Sequence, residues 1–164
     1  MESRAKLFGH PIHQMLIVFP LGLLATALFF DLIALAMDRH PGLFAASFYM
    51  IAAGIIGGLL AAVFGLIDFL KIPSGTRAKR VGRLHGGGNV IVVVLFAASW
   101  WLRRDTPADP PTLAIALAAA GAGLATFTGW LGGELVDRLG VGVDDGAHLD
   151  APSSLSGKPA GPSR

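Results

Sequence analysis

The side chains in this sequence with the most chemistry to offer are imidazoles and carboxylates, since neutral imidazole ligates transition metals and carboxylates can complete such sites. They fall at recurring places. His10 and His13 stand in GHPIHQ, just ahead of an apolar run, and Asp68 in FGLIDFL closes a second run. His85 in RLHGGGN opens a third, and Glu134 in TGWLGGEL closes a fourth. Asn89, four residues beyond His85, shares its helix face. If the four runs are helices, these groups lie within one or two turns of a single membrane face. That predicts a metal site drawn from His10, His13, Asp68, His85 and Glu134, or a haem held between His13 and His85. The expected cofactor is accordingly a divalent metal, Zn or Fe, or haem b. The plainer alternative is a set of interface residues solvated among headgroups, with His10 and Pro11 marking a helix start. Asp68 and Glu134 suit pairing with Arg or His better than metal ligation. The macrodipole disfavours acids at helix C-termini and cationic histidines at N-termini by about 0.3–1 kcal/mol each, a cost that pairing or a shared ion would offset.

The elements that must position these groups follow from composition. Of 164 residues, 53% are apolar and 15% charged, whereas soluble domains carry about 25% charged residues. The apolar residues form four runs, about 14–37, 43–70, 85–102 and 112–135, each able to cross a hydrocarbon core of about 30 Å. The second is longer than needed, which predicts tilt or a protruding end. The fold class is therefore all-α, a polytopic membrane four-helix bundle over 9–143. The two halves echo one another, each with a histidine, two apolar helices, then glycine followed by an acid, so the bundle reads as two repeated helical hairpins. Residues 144–164, rich in Ser, Pro and Gly, read as a disordered tail. The first run is too long for a signal peptide and carries Pro20 and Asp31.

Lys and Arg concentrate on the side that holds both termini and the loop KIPSGTRAKRVGR, which predicts a bacterial inner-membrane protein with cytoplasmic termini. That loop lacks interleaved aromatics, so it reads as a topology signal at anionic headgroups, and nucleic acid is not an expected partner. The lipid bilayer is, together with a second copy of the chain or a larger membrane complex. Two small-residue stripes, Gly54/Gly58/Ala62 and Ala125/Gly129/Gly133, suit close helix packing in lipid. Pro20 should interrupt the first helix near the histidines. Asp31, inside the first run toward the outer face, is a functional candidate by its depth, or a partner for Arg39 or Arg103. Trp100 and Trp101 read as an outer aromatic belt and Trp130 as an inner one. The chain has no cysteine, which removes disulfides and thiolate sites.

GHPIHQMLIVFPLGLL, FGLIDFL, RLHGGGN and GWLGGELVDRLGVGV together resemble the domain-of-unknown-function 2231 family of bacterial membrane proteins, over about Gly9 to Val143. The resemblance implies a four-helix membrane protein without an assigned activity. Family members often carry another histidine where this chain has Val18, and one where it has Leu139, either of which would suit a metal or haem ligand. Here both positions are apolar, while His10, His13, His85 and Glu134 match the family.

Three functions fit these readings. The first is a membrane protein holding a metal or haem through His13 and His85. The second is a non-catalytic structural or accessory subunit of a membrane complex. The third is a small transporter or proton-path component using Asp31 and the inner cluster. The sequence carries no GxSxG, P-loop, HExxH or dinucleotide fingerprint, which argues against a hydrolase or transferase.

Overall fold

A computed structural model describes residues 1–161. The chain opens with a two-stranded antiparallel hairpin, β1 (Lys6–Leu7) and β2 (His10–Pro11). Its turn residues Phe8 and Gly9 both have positive φ, at 50° and 85°, as a type I′ turn requires of its two central residues. Five helices follow: α1 (Ile12–Leu16), α2 (Val18–Ala36), α3 (Pro41–Lys71), α4 (Arg77–Arg103) and α5 (Thr112–Gly133). A π-helical turn, Glu134–Arg138, extends α5. Counting α1 with α2, and α5 with its π turn, four helices are long and apolar enough to cross a membrane.

The interruption at Ile17 separates α1 from α2. Pro20 lies three residues on and has no N–H to give the Leu16 carbonyl, so the helical ladder is broken where the sequence predicts. The larger difference is in the third span, whose apolar run begins at His85 but whose helix begins at Arg77. Hydropathy marks the lipid-embedded part of a helix and is blind to a polar interfacial turn. Here that segment is started by Thr76, whose hydroxyl accepts the Lys79 N–H at 3.1 Å, an N-cap that satisfies one of the free donors at a helix start. The second span keeps the extra length expected of it, 31 residues.

Two antiparallel hairpins, α2/α3 and α4/α5, pack into one helical bundle. Its centre is Leu24, Ala27, Ile51, Val92, Phe96 and Ala118. Large apolar side chains point outward, among them Phe29, Tyr49, Ile56, Val63, Val94 and Trp130. Such a surface is stable only against hydrocarbon, so the four spans form a membrane domain whose outer face meets lipid, with small residues where the helix backbones come closest. A Cβ on Gly54 would lie 2.6 Å from Leu24 Cδ2, and one on Gly121 would lie 2.9 Å from Phe96 Cε2. These contacts show how close the backbones come. In α3 the expected stripe is used at Gly54 and Gly58, while Ala62 is exposed. In α5 the packed face is Ala118, Gly121, Ala125, Thr128 and Gly132, so Ala125 of the expected stripe packs against the core while Gly129 looks into open space. A stripe of small residues every four positions does not distinguish one helix face from its neighbour, which is why the α5 interface differs from the expected one.

The N-terminus, the described residues beyond α5 and the α3–α4 loop share one end of the bundle, the terminal end. The N-terminal amine donates to the Gly140 carbonyl at 2.9 Å, and Gly142 N–H donates to the Met1 carbonyl at 2.9 Å. Lys6 bonds the carboxylates of Glu2 and Asp144. The stretch read as a disordered tail thus begins, at Asp144 and Asp145, in a clasp with the N-terminus. Its last three residues lie outside the described ones.

Candidate functional site

His13, in the first turn of α1, and His85, two turns into α4, occupy equivalent places in the two hairpins. His13 Nδ1 lies 2.8 Å from the Ala61 carbonyl on α3, and His85 Nδ1 lies 2.8 Å from the Thr128 carbonyl on α5. A carbonyl oxygen only accepts, so each Nδ1 carries the hydrogen. In the neutral ring that leaves Nε2 as a bare lone pair. Each ring also rests on a glycine one turn past its carbonyl partner. A Cβ on Gly65 would lie 2.8 Å from His13 Nδ1, and one on Gly132 would lie 3.1 Å from His85 Cε1. Residues four apart share a helix face, so carbonyl and glycine together form a socket for the ring. The same socket occurs in both hairpins, which gives the internal echo a structural form. The equivalence runs through Ala61/Gly65 and Thr128/Gly132, so Asp68 and Glu134 are not equivalent to each other, falling three and two residues past their glycines.

The two rings meet across the hairpin boundary in a T-shaped arrangement, with centroids 6.4 Å apart and planes at 90°. Asn89 supports one side only. Its amide nitrogen lies 3.4 Å from Nδ1 and 3.3 Å from Nε2 of His85, nearly equidistant and therefore over the ring, not along the Nε2 lone pair. It donates instead to the His85 carbonyl at 2.9 Å, while its oxygen accepts from the Thr128 hydroxyl at 3.0 Å. The side chains of α4 and α5 are thereby locked around His85.

The other expected ligands point elsewhere. Asp68 is buried and accepts from the Ser3 hydroxyl and the Arg4 backbone N–H, both at 2.7 Å. Glu134 pairs with Arg77 at 2.8 Å. His10 lies exposed in β2, with its Nε2 3.4 Å from the Ser154 hydroxyl. Among the described residues no three His, Asp or Glu side chains converge as a metal-binding group. The pair at His13 and His85 is thus two perpendicular imidazoles, each tied through Nδ1 to a helix carbonyl, with no carboxylate among their bonded partners.

A second buried polar cluster lies near the far end of the bundle. Asp31 on α2 meets Arg103 on α4, not Arg39, which bonds Asp109 and the Pro110 carbonyl instead. Arg103 also donates to the Ser47 hydroxyl at 3.1 Å and the Ser99 hydroxyl at 3.2 Å, and Ser99 donates to the Ala114 carbonyl at 2.6 Å. All four side chains are fully buried. Ser47 and Ser99 carry no motif in the sequence. Only their depth within apolar helices could have marked them.

The aromatic residues divide by position. Trp101 is exposed beneath the Arg104 guanidinium, 4.0 Å from its ring centre, and Trp130 is exposed beside Phe127. Trp100 turns inward and stacks on Phe48 at 5.4 Å.

No curated protein and no solved structure shows significant similarity to the chain. A family model does match, over residues 9–145, a region that holds both histidine sockets and the Asp31–Arg103 cluster. The chain therefore belongs to the DUF2231 family, described as predicted membrane proteins.

Proposed function

We propose that this protein is a membrane cofactor carrier in which His13 and His85 would hold one metal centre, with porphyrin iron preferred to zinc because the site offers two imidazoles and no carboxylate, whereas zinc takes three or four protein ligands. The observation that carries this reading is the duplicated socket. Each Nδ1–H is bound to a helix carbonyl, which fixes the ring and leaves Nε2 free, the arrangement by which metal-ligating histidines are usually oriented. Ring centres 6.4 Å apart would let both imidazoles reach one metal atom, given metal–nitrogen bonds of about 2.0–2.1 Å. A porphyrin iron held by these two residues would supply one-electron transfer. The chain's own part is to fix the two rings, through Ala61, Gly65, Thr128 and Gly132, and to exclude a competing carboxylate by holding Asp68 and Glu134 in other bonds. The excess of Lys and Arg at the terminal end supports placing the pair near the cytoplasmic face of a bacterial inner membrane.

The test is metal analysis and absorption spectroscopy of the full chain purified in mild detergent from haem-replete cells. The expected result is near-stoichiometric iron with a Soret band, lost in both His13→Ala and His85→Ala. Bound iron retained in both variants, or neither haem nor metal in the unaltered chain, would overturn the reading. The second of these outcomes would favour a structural subunit.

A further inference from the structure

The outer surface of the α4/α5 hairpin carries a groove of about 320 Å³ near the terminal end. Leu84, Gly87 and Ile91 on α4 and Leu124 and Phe127 on α5 form its walls, and Arg83 stands at its mouth. The shape follows from the GGG stretch. A Cβ on Gly87 would meet nothing within 4 Å, so the missing side chain opens the groove. A Cβ on Gly88 would lie 2.5 Å from Thr128 Cγ2, so there the two helices close and make a floor. From Arg83 to Ile91 the groove runs about 12 Å along the helix, most of the roughly 15 Å hydrocarbon depth of one leaflet.

The charges at the mouth select the occupant. Arg77, one turn above Arg80, is paired with Glu134. The exposed side chains of Arg80 and Arg83 make no hydrogen bond or ion pair among the described residues. An apolar slot crossing one leaflet, topped by two unpaired guanidiniums at headgroup depth, matches a phosphate attached to an acyl chain. Guanidinium–phosphate bonds are charge-assisted and geometrically selective. We infer that this groove binds one anionic phospholipid, its chain lying against Gly87 between α4 and α5 and its phosphate on Arg83 and Arg80.

The test is native mass spectrometry of the full chain released from bilayer discs containing equal amounts of palmitoyl-oleoyl phosphatidylglycerol and phosphatidylcholine, whose chains are identical. The expected result is one retained lipid, with phosphatidylglycerol favoured about tenfold. Arg83→Gln should bring that preference close to unity. Gly87→Leu, which fills the slot at a position open to a side chain, should lower retention of both lipids without lowering the unfolding temperature. Equal retention of the two lipids by the unaltered chain, or an undiminished preference in Arg83→Gln, would overturn the site. Competition by dihexanoyl phosphatidylglycerol as effective as that of the long-chain lipid would overturn the role of the groove.

Discussion

Arg103 grips Asp31 through two parallel bonds, Nη1–H to Oδ1 at 2.8 Å and Nη2–H to Oδ2 at 2.6 Å, with neither side chain exposed. Ser47 and Ser99 occupy further guanidinium hydrogens, so one residue from α4 ties together α2, α3 and, through the Ser99 bond to Ala114, α5. A charge in this setting tolerates burial only while it is paired. Asp31, sealed and doubly bonded, thereby anchors α2 to α4 at the far end of the bundle.

The prediction from that geometry is an asymmetry between single and double replacement. Asp31→Ala or Arg103→Ala should cost about 3–5 kcal/mol, because each leaves the other charge buried alone. Asp31→Leu with Arg103→Met should recover most of the loss. Equilibrium unfolding in detergent measures both. Single-variant losses under about 1 kcal/mol would show that the pair behaves as an exposed one and that the anchor reading is wrong.

The glycine sockets predict matched effects in the two hairpins. Gly65→Ala and Gly132→Ala each place a methyl against an imidazole, displacing a ligand without deleting it. Loss of such orienting contacts typically lowers metal affinity about 10–100-fold, and that is the expected change in haem affinity for both variants. Gly129→Ala, whose Cβ meets nothing within 4 Å, is the control and should bind normally. Titration of the apo-protein with haemin reads the difference, and a loss in Gly129→Ala equal to the others would remove the case for sockets.

Much of this was legible in the sequence because a bilayer imposes a simple length rule, and four apolar runs satisfy it. The Arg103 partner of Asp31 was readable for a related reason, since polar groups at membrane depth are costly and must be accommodated. The fold of residues 77–84 was not readable, because an interfacial helix is amphiphilic and falls outside hydropathy. Nor was the convergence of five ligands a safe reading. Membrane depth places residues on a common level, but their helix faces and local partners decide where they point. Asp68 was captured by Ser3 and Arg4 of the N-terminal segment, a contact between positions distant in sequence that no local pattern announces.

The terminal clasp should depend on pH at both extremes. The Glu2 carboxyl is held below its ordinary value of 4.5, chiefly by the hydrogen bond from Lys6 and then by that from the Asp145 N–H. Partial burial acts to lower the Lys6 value, but bonds to Asp144 and Glu2 outweigh it and leave it above 10.5. The lowered acid contributes stability that is present above 4.5 and lost as pH falls through its folded value. The raised base contributes stability that is present below 10.5 and lost as pH rises through its folded value. The clasp should therefore be tightest between about pH 5 and 10, and weaker in high salt because its groups are partly exposed. Hydrogen exchange at the Gly142 amide, corrected for intrinsic rate, should show flat protection across the middle of that window and a decline below pH 4.5. Protection that rose steadily toward pH 3 would show that the ion cluster does not hold the termini.

Asp68 and Glu134 provide the sharpest separation between a carboxylate-assisted metal and an imidazole-only site. Glu134 meets Arg77 in a partly exposed pair, the kind worth about 0–1 kcal/mol, so Glu134→Gln should change stability little. Asp68→Asn weakens the acceptor for Ser3 and Arg4, and a hydrogen bond to a charged group contributes about 1.5–3 kcal/mol, so it should loosen residues 1–5 measurably by hydrogen exchange. Neither change touches an imidazole, its carbonyl or its glycine. Both variants should therefore keep the iron content and absorption spectrum of the unaltered chain, while His13→Ala loses them. Loss of iron in Glu134→Gln or Asp68→Asn, with the helices intact by circular dichroism, would mean that a carboxylate leaves its present partner to join the metal, and the axial-pair reading would give way to a mixed His–carboxylate centre.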